Sequence, residues 1–305
     1  MKASDRSGCA IAARSGALKS DFRMLLLNDR NNGISAFVIL SHQKSAKRSM
    51  KNRIVAIARY TILEAVRTRL LLLTVAVIGV LIAGSFLVRE IAVTESSRFQ
   101  TTFYAATVRY ACVFIVALYA IASIAREFQD KGLEVVLALD LPRSNYILGK
   151  LAGFLVIGAA IAATASLPLI PFAGWQPVAQ WAISLAFELG VIVALSLFCA
   201  ITFNQLMPAV SFVLAFYLLA RALTAIRLIS ANPIADAAAV SHQIMTRLVE
   251  ALALVIPALD AWTRTAWLVD NPASGPALFS IAAHSVLFVA IFASAAVFDM
   301  HRRNF

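Results

Sequence analysis

Residues 126–150 read REFQDKGLEVVLALDLPRSNYILGK, a charged insert between two apolar runs that are each long enough to cross a bilayer. Arg126, Glu127, Asp130 and Lys131 read as a polar helical extension of the run before them. Gly132 can break that extension, since without a Cβ it tolerates backbone angles other residues avoid. Residues 133–139 then suit a short helix along the membrane surface, with Leu133, Val136 and Leu137 as its apolar side. Pro142 ends it, Ser144 or Asn145 can cap the next helix, and Lys150 marks the interface where the next run begins. A short transverse helix between two rigid spans is a lever, because a push on it moves both spans. The plainer alternative is an ordinary short loop with snorkelling charges.

The whole chain has the composition of a membrane protein. Of 305 residues 61% are hydrophobic and 14% charged, against about 45–50% and 25% in soluble domains. The mean hydropathy of +0.81 agrees. A net charge of +11 would suit a nucleic-acid partner, but Lys and Arg gather at the edges of apolar runs, which is the placement of orientation signals. No nucleic-acid partner is expected. The three cysteines, Cys9, Cys112 and Cys199, are too scattered for a disulfide framework. The four histidines show no metal-ligand spacing, so no metal and no cofactor is expected on this chain.

Six spans are expected, at 70–88, 103–124, 147–172, 180–203, 208–229 and 277–300, since about 20 apolar residues cross the hydrocarbon core. Pro168 and Pro171 should kink or stop the third near its far end. Fourteen Lys and Arg flank one side, in 44–69, 126–150 and at Arg302 and Arg303, against seven on the other side and within the spans. That asymmetry puts both termini and the 126–150 loop in the cytoplasm. The expected fold is therefore an all-α integral membrane protein, a six-helix bundle preceded by an interfacial elbow helix, in the cell membrane of a bacterium.

Residues 1–49 differ in composition from the remainder of the chain, and Met50 reads as an alternative biological start. The expectation is a disordered or non-native extension, with a genuine cytoplasmic tail as the alternative. In 50–69 apolar side chains recur at Ile54, Ile57, Ala58, Thr61, Ile62 and Ala65. Arg53, Arg59, Glu64, Arg67 and Arg69 lie between them, as in a helix on the cytoplasmic interface. The outer segment 230–276 carries Val240, Ile244, Leu248, Leu252 and Val255 at helical spacing, with Trp262 and Trp267 suited to the headgroup belt. It reads as a surface helix stopped by Pro257, or as a re-entrant pair of half-helices. Gly79, Gly84, Gly153 and Gly158 are spaced to allow close helix contact.

Four ionisable residues fall inside spans: Arg109, Glu188, Arg221 and His284. Each lies six to eight residues from the outer end of its span, about 9–12 Å at helical rise. Charges in hydrocarbon usually face a bundle interior or cavity. They form a candidate polar layer on a translocation path, with Glu188 paired to Arg221 or Arg109. Snorkelling of the arginines to the outer interface is the alternative.

Glu127, Gly132, Glu134, Pro142, Arg143, Tyr146, Gly149 and Lys150 together resemble the cytoplasmic loop of type-2 ATP-binding-cassette (ABC) exporter permeases. The six spans, the basic interfacial helix and the long outer segment are also similar to that family, over about residues 51–305. The resemblance implies a permease subunit whose loop carries a coupling helix docked on a separate ABC-type ATPase. It further implies a second permease copy, or a similar permease, beside it in the bilayer. Glu127, Gly132, Glu134, Pro142 and Arg143 would then be the coupling residues. No G-x-x-x-x-G-K-[ST] occurs, so ATP and Mg would be held by the partner and this chain is not expected to be an enzyme. Two other classes stay open. One is an ion-coupled secondary transporter using Glu188, although no repeat between halves is seen. The other is a non-transporting membrane scaffold or assembly factor.

Overall fold

The computed structural model describes residues 53–91, 95–129, 143–203, 205–231, 247–252, 256–269 and 275–302. The extension 1–49, the transverse segment with Gly132, Glu134 and Pro142, and residues 232–246, 253–255 and 270–274 of the outer segment lie outside the described residues. Residues Ile54–Phe305 form one compact unit. Among the described residues every regular element is helical, and six helices are long and apolar enough to cross a membrane, as in a multi-pass membrane protein.

Helix α1 covers 53–67, and Arg69 follows it with a positive φ of 57°. A left-handed turn at a residue with a Cβ costs about 1–2 kcal/mol, and it separates α1 from α2, Leu70–Ile91. Helix α3 runs Ser96–Gln129, α4 Arg143–Ser166, α5 Trp175–Phe203, α6 Leu206–Ala231 and α7 Gly275–Arg302. Prolines mark several starts: Pro177, Pro208 and Pro276 sit in the first turns of α5, α6 and α7, where the missing N–H costs no helical bond. As the prolines suggested, the third span does not run unbroken to residue 172. Helix α4 stops at Ser166, followed by a 3₁₀ turn at Leu167–Leu169 and a short helix at Ile170–Ala173. Gly174 then turns the chain with a φ of 77°.

Helix α5 is the axis of the bundle and packs on α3, α4, α6 and α7. Residues 188–197, Glu-Leu-Gly-Val-Ile-Val-Ala-Leu-Ser-Leu, are buried all round. Lipid tails are as apolar as these side chains, so close fit rather than water exclusion holds such a helix. Gly190 lets Leu155 of α4 come within 3.2 Å of where a Cβ would stand. By contrast Gly79 and Gly84 of α2 have no heavy atom within 4 Å of that position, and Gly158 makes only an ordinary contact with Leu189. Of the four spaced glycines only Gly153 marks a tight approach. Its partner is Thr61 of α1, where a Cβ would come within 2.7 Å; Gly149 one turn earlier is equally tight against Ile57.

The apolar stripe of α1 is its buried stripe: Thr61 and Ala65 are buried, and Ile54, Ile57, Ala58 and Ile62 are half-buried. The segment 256–269 enters the bundle instead of lying over it. Its 3₁₀ turn at Leu259–Ala261 packs on α6, and its short helix at Ala266–Val269 packs on α3 and α5. Trp262 is buried in the core, which corrects its expected place among lipid headgroups. Before it, helical residues 247–252 expose Leu248 and Leu252 and bury Val249.

Candidate functional site

Two ion clusters tie the helices together. The first lies near the middle of α5, well removed from the stems of the 126–150 loop. Glu188 of α5 is 0% exposed, with Arg109 of α3 at 5% and the Arg221 side chain of α6 at 9%. The Glu188 carboxylate accepts from the Tyr217 hydroxyl at 3.0 Å, from Arg221 Nη1 at 3.3 Å and from the Thr263 hydroxyl at 2.6 Å. Tyr217 and Arg221 are one helical turn apart on α6, so both reach the same carboxylate.

The 256–269 segment closes the cluster with its backbone. Arg221 Nη1 donates to Leu259 O at 3.0 Å and Nη2 to Thr263 O at 3.3 Å. Arg109 Nη1 donates to the same Thr263 carbonyl, and its guanidinium stands 5.6 Å from the Tyr110 ring centre. Tyr110 in turn meets Tyr217 edge to face at 5.9 Å. Arg109 Nε is buried and has no acceptor among the described residues.

Three of the four residues expected in a polar layer are thus together, and the expected Glu188–Arg221 pair is present. The fourth is elsewhere. His284 is exposed on α7, and its Nδ1 donates to Ser280 O of its own helix at 2.7 Å. Neither arginine snorkels. Arg109 and Glu188 each lie thirteen residues inside their helices, about 20 Å at helical rise, because α3 and α5 begin earlier than their apolar runs suggest. Tyr217 could have been found in the sequence from its spacing to Arg221. Thr263 carried no such signal, since only the inward path of 256–269 delivers it.

The second cluster lies where α3 and α4 approach the 130–142 insert. Lys150 of α4 is 1% exposed. Its Nζ lies 2.5 Å from Glu127 Oε1 of α3 and 3.4 Å from Glu64 Oε2 of α1. Ser123 Oγ donates to Glu64 Oε1 at 2.9 Å and accepts from Lys150 at 3.4 Å. Tyr146 donates to Glu127 Oε2. Arg126 reaches Glu64 at 3.8 Å from the exposed side, and Lys150 lies 5.6 Å from the Phe154 ring centre.

This geometry bears on two sequence readings. Glu64 leaves the polar face of α1 and turns into the bundle. Glu127 has both oxygens taken by Lys150 and Tyr146, so it anchors the stems of the insert from inside. Arg143 opens α4 on the other stem. Gly132, Glu134 and Pro142 lie outside the described residues. Comparison with family models and with curated protein sequences gives no match for this chain.

Proposed function

We propose that this chain is the membrane-spanning permease subunit of an ATP-driven ABC-type exporter, coupled through the 126–150 loop to a separate ATPase. The observation that supports the reading is the three-helix junction beneath the insert. Glu127 and Glu64 join α3 and α1 to α4 through the buried Lys150, and Gly149 and Gly153 let α1 lie against α4. A force applied to the insert at 130–142 would move three helices as one body. Such rigid-body shifts are the means by which packed helices switch a site between two states. A simple connecting loop needs no such bracing.

In this reading α1 is the elbow helix on the cytoplasmic interface, and both termini are cytoplasmic. A second permease copy completes the path, and ATP and Mg belong to the partner. Glu134 and Arg143 contact the ATPase, Gly132 and Pro142 bound the lever, and Glu127 holds it. Ion coupling through Glu188 is less well supported, because three donors occupy its oxygens and it has no exposure to water or ions.

The test is affinity purification of the detergent-solubilised protein from its own host, followed by mass spectrometry, with wild type against Glu134→Arg. Recovery of an ABC-type ATPase with wild type and its loss with the variant are expected. If no ATPase is recovered even after cross-linking, the reading fails.

A further inference from the structure

The cluster at Glu188 holds two guanidinium groups and one carboxylate, so one buried positive charge has no counter-ion among the described residues. Leaving an ion in a low-dielectric interior costs several kcal/mol unless charge or good dipoles compensate it. Here the compensation comes from main-chain carbonyls. Thr263 O accepts from both arginines, and Leu259 O accepts from Arg221. A guanidinium is a rigid planar fork of donors suited to the paired oxygens of a carboxylate or phosphate. Carbonyl oxygens can occupy those places but bring no charge, and Arg109 Nε has no acceptor among the described residues.

The segment that supplies these carbonyls is also irregular. Residues 256–269 contain a three-residue 3₁₀ turn and a four-residue helix. Neither is long enough to hold its shape without packing, and elements with few local bonds open at the lowest free energy. The segment is pinned by Thr263 and Leu259 to the three charges, and by Leu259, Trp262 and Leu268 to apolar neighbours.

We propose that Arg109 and Arg221 form an oxyanion-binding site, for which the Thr263 and Leu259 carbonyls are stand-ins while the 256–269 segment is closed. The ligand class is an amphiphile with a carboxylate or phosphate headgroup. Its charge neutralises the surplus cation, and its apolar part lies against the face vacated by Leu259 and Trp262. As a statement about transported substrate this rests on the permease reading, whereas binding itself does not.

The experiment measures equilibrium binding of radiolabelled dodecyl phosphate to the purified chain in a non-ionic detergent, taking as specific the part displaced by excess unlabelled probe. Saturable binding is expected for wild type and for Arg247→Gln, an exposed arginine outside the cluster. Arg109→Gln should weaken it by roughly tenfold or more, as expected for loss of a charge-assisted fork. Arg109→Lys keeps the charge without the fork and should give a smaller loss, which covers the case in which Arg109→Gln does not fold. Glu188→Gln removes the internal competing anion and should tighten binding, a direction that a purely structural tie would not produce. Displacement by inorganic phosphate at similar concentration would assign the site to a free oxyanion, and its failure to displace would assign it to an amphiphile headgroup. Absence of saturable binding, or equal binding by wild type and Arg109→Gln, overturns the proposal. No ATPase is needed, so an absent ATPase partner would remove the permease reading and leave this result standing.

Discussion

Gly153 of α4 faces Thr61 of α1 so closely that a Cβ on the glycine would lie 2.7 Å from the Thr61 Cβ. The neighbour is a branch point next to the backbone and not the end of a long side chain, so it cannot swing away. Thr61 is held besides by its own hydroxyl, which donates to Ile57 O at 3.0 Å.

Gly153→Leu should therefore push α1 off α4 and destabilise the protein by about 1–3 kcal/mol, the usual cost of overpacking. Gly79→Ala, with no heavy atom within 4 Å of the new methyl, should be neutral or stabilise α2 by up to about 1 kcal/mol. Thermal unfolding of the two variants in detergent separates these outcomes. Equal melting temperatures would mean that α1 does not pack tightly on α4.

Lys150 serves two carboxylates, and its removal takes the buried counter-charge from both. Lys150→Met should cost about 3 kcal/mol, at the lower end for a broken buried pair because Glu64 and Glu127 keep some exposure to solvent. Adding Glu64→Gln and Glu127→Gln to that background should recover part of the loss, since neutral amides no longer need a cation. Urea or thermal melts of the single and triple variants check this. A triple variant less stable than Lys150→Met would mean that Arg126, Ser123 and Tyr146, not Lys150, hold the carboxylates in place.

At the other cluster, Glu188 and Arg221 should behave as a coupled pair. Glu188→Ala and Arg221→Ala should each be strongly destabilising, and the double variant should cost less than their sum by about 0.5–3 kcal/mol. The exchange Glu188→Arg with Arg221→Glu should recover folded protein where either single reversal does not. Additive losses in the cycle would show that each charge is satisfied independently.

His284→Ala should leave the cluster undisturbed and change the melting temperature little, because its ring is exposed and bonded only within its own helix. Arg109→Leu should have the larger effect, since it removes a buried side chain that ties α3 to the 256–269 segment and leaves Thr263 O with Arg221 alone. Comparable effects of the two would place His284 in the layer after all.

These cases show which parts of the molecule were legible beforehand. The six spans could be read because hydropathy over about 20 residues is a strong signal, and the inward stripe of α1 because a period near 3.6 assigns each residue a face. The helix ends were less visible. Ser96–Gln129 and Trp175–Phe203 run beyond their apolar cores in residues that satisfy helical bonds without being hydrophobic. Depth in the bundle was misjudged by that margin, and His284 was grouped with residues it does not meet. The Glu188–Arg221 pair was legible because buried charges need partners, and few were on offer. The Glu64–Lys150–Glu127 cluster was not, since each residue taken alone looked like an interfacial charge and only the crossing of α1 over the stems brings them together. Thr263 was hidden for a related reason. No local pattern announces a loop that turns inward.

The Glu64–Lys150 contact also has a consequence for biosynthesis. Glu64 leaves the ribosome 86 residues before its partner, roughly 4–17 s at ordinary elongation rates. Throughout that interval α1 has neither the lysine nor the glycine-lined face of α4 to rest against. Helix α1 therefore cannot be seated when it is made, and it must stay within reach, unspent, until α4 has been inserted. A nascent chain halted before residue 150 should still leave α1 open to protease, and one halted well after it should not.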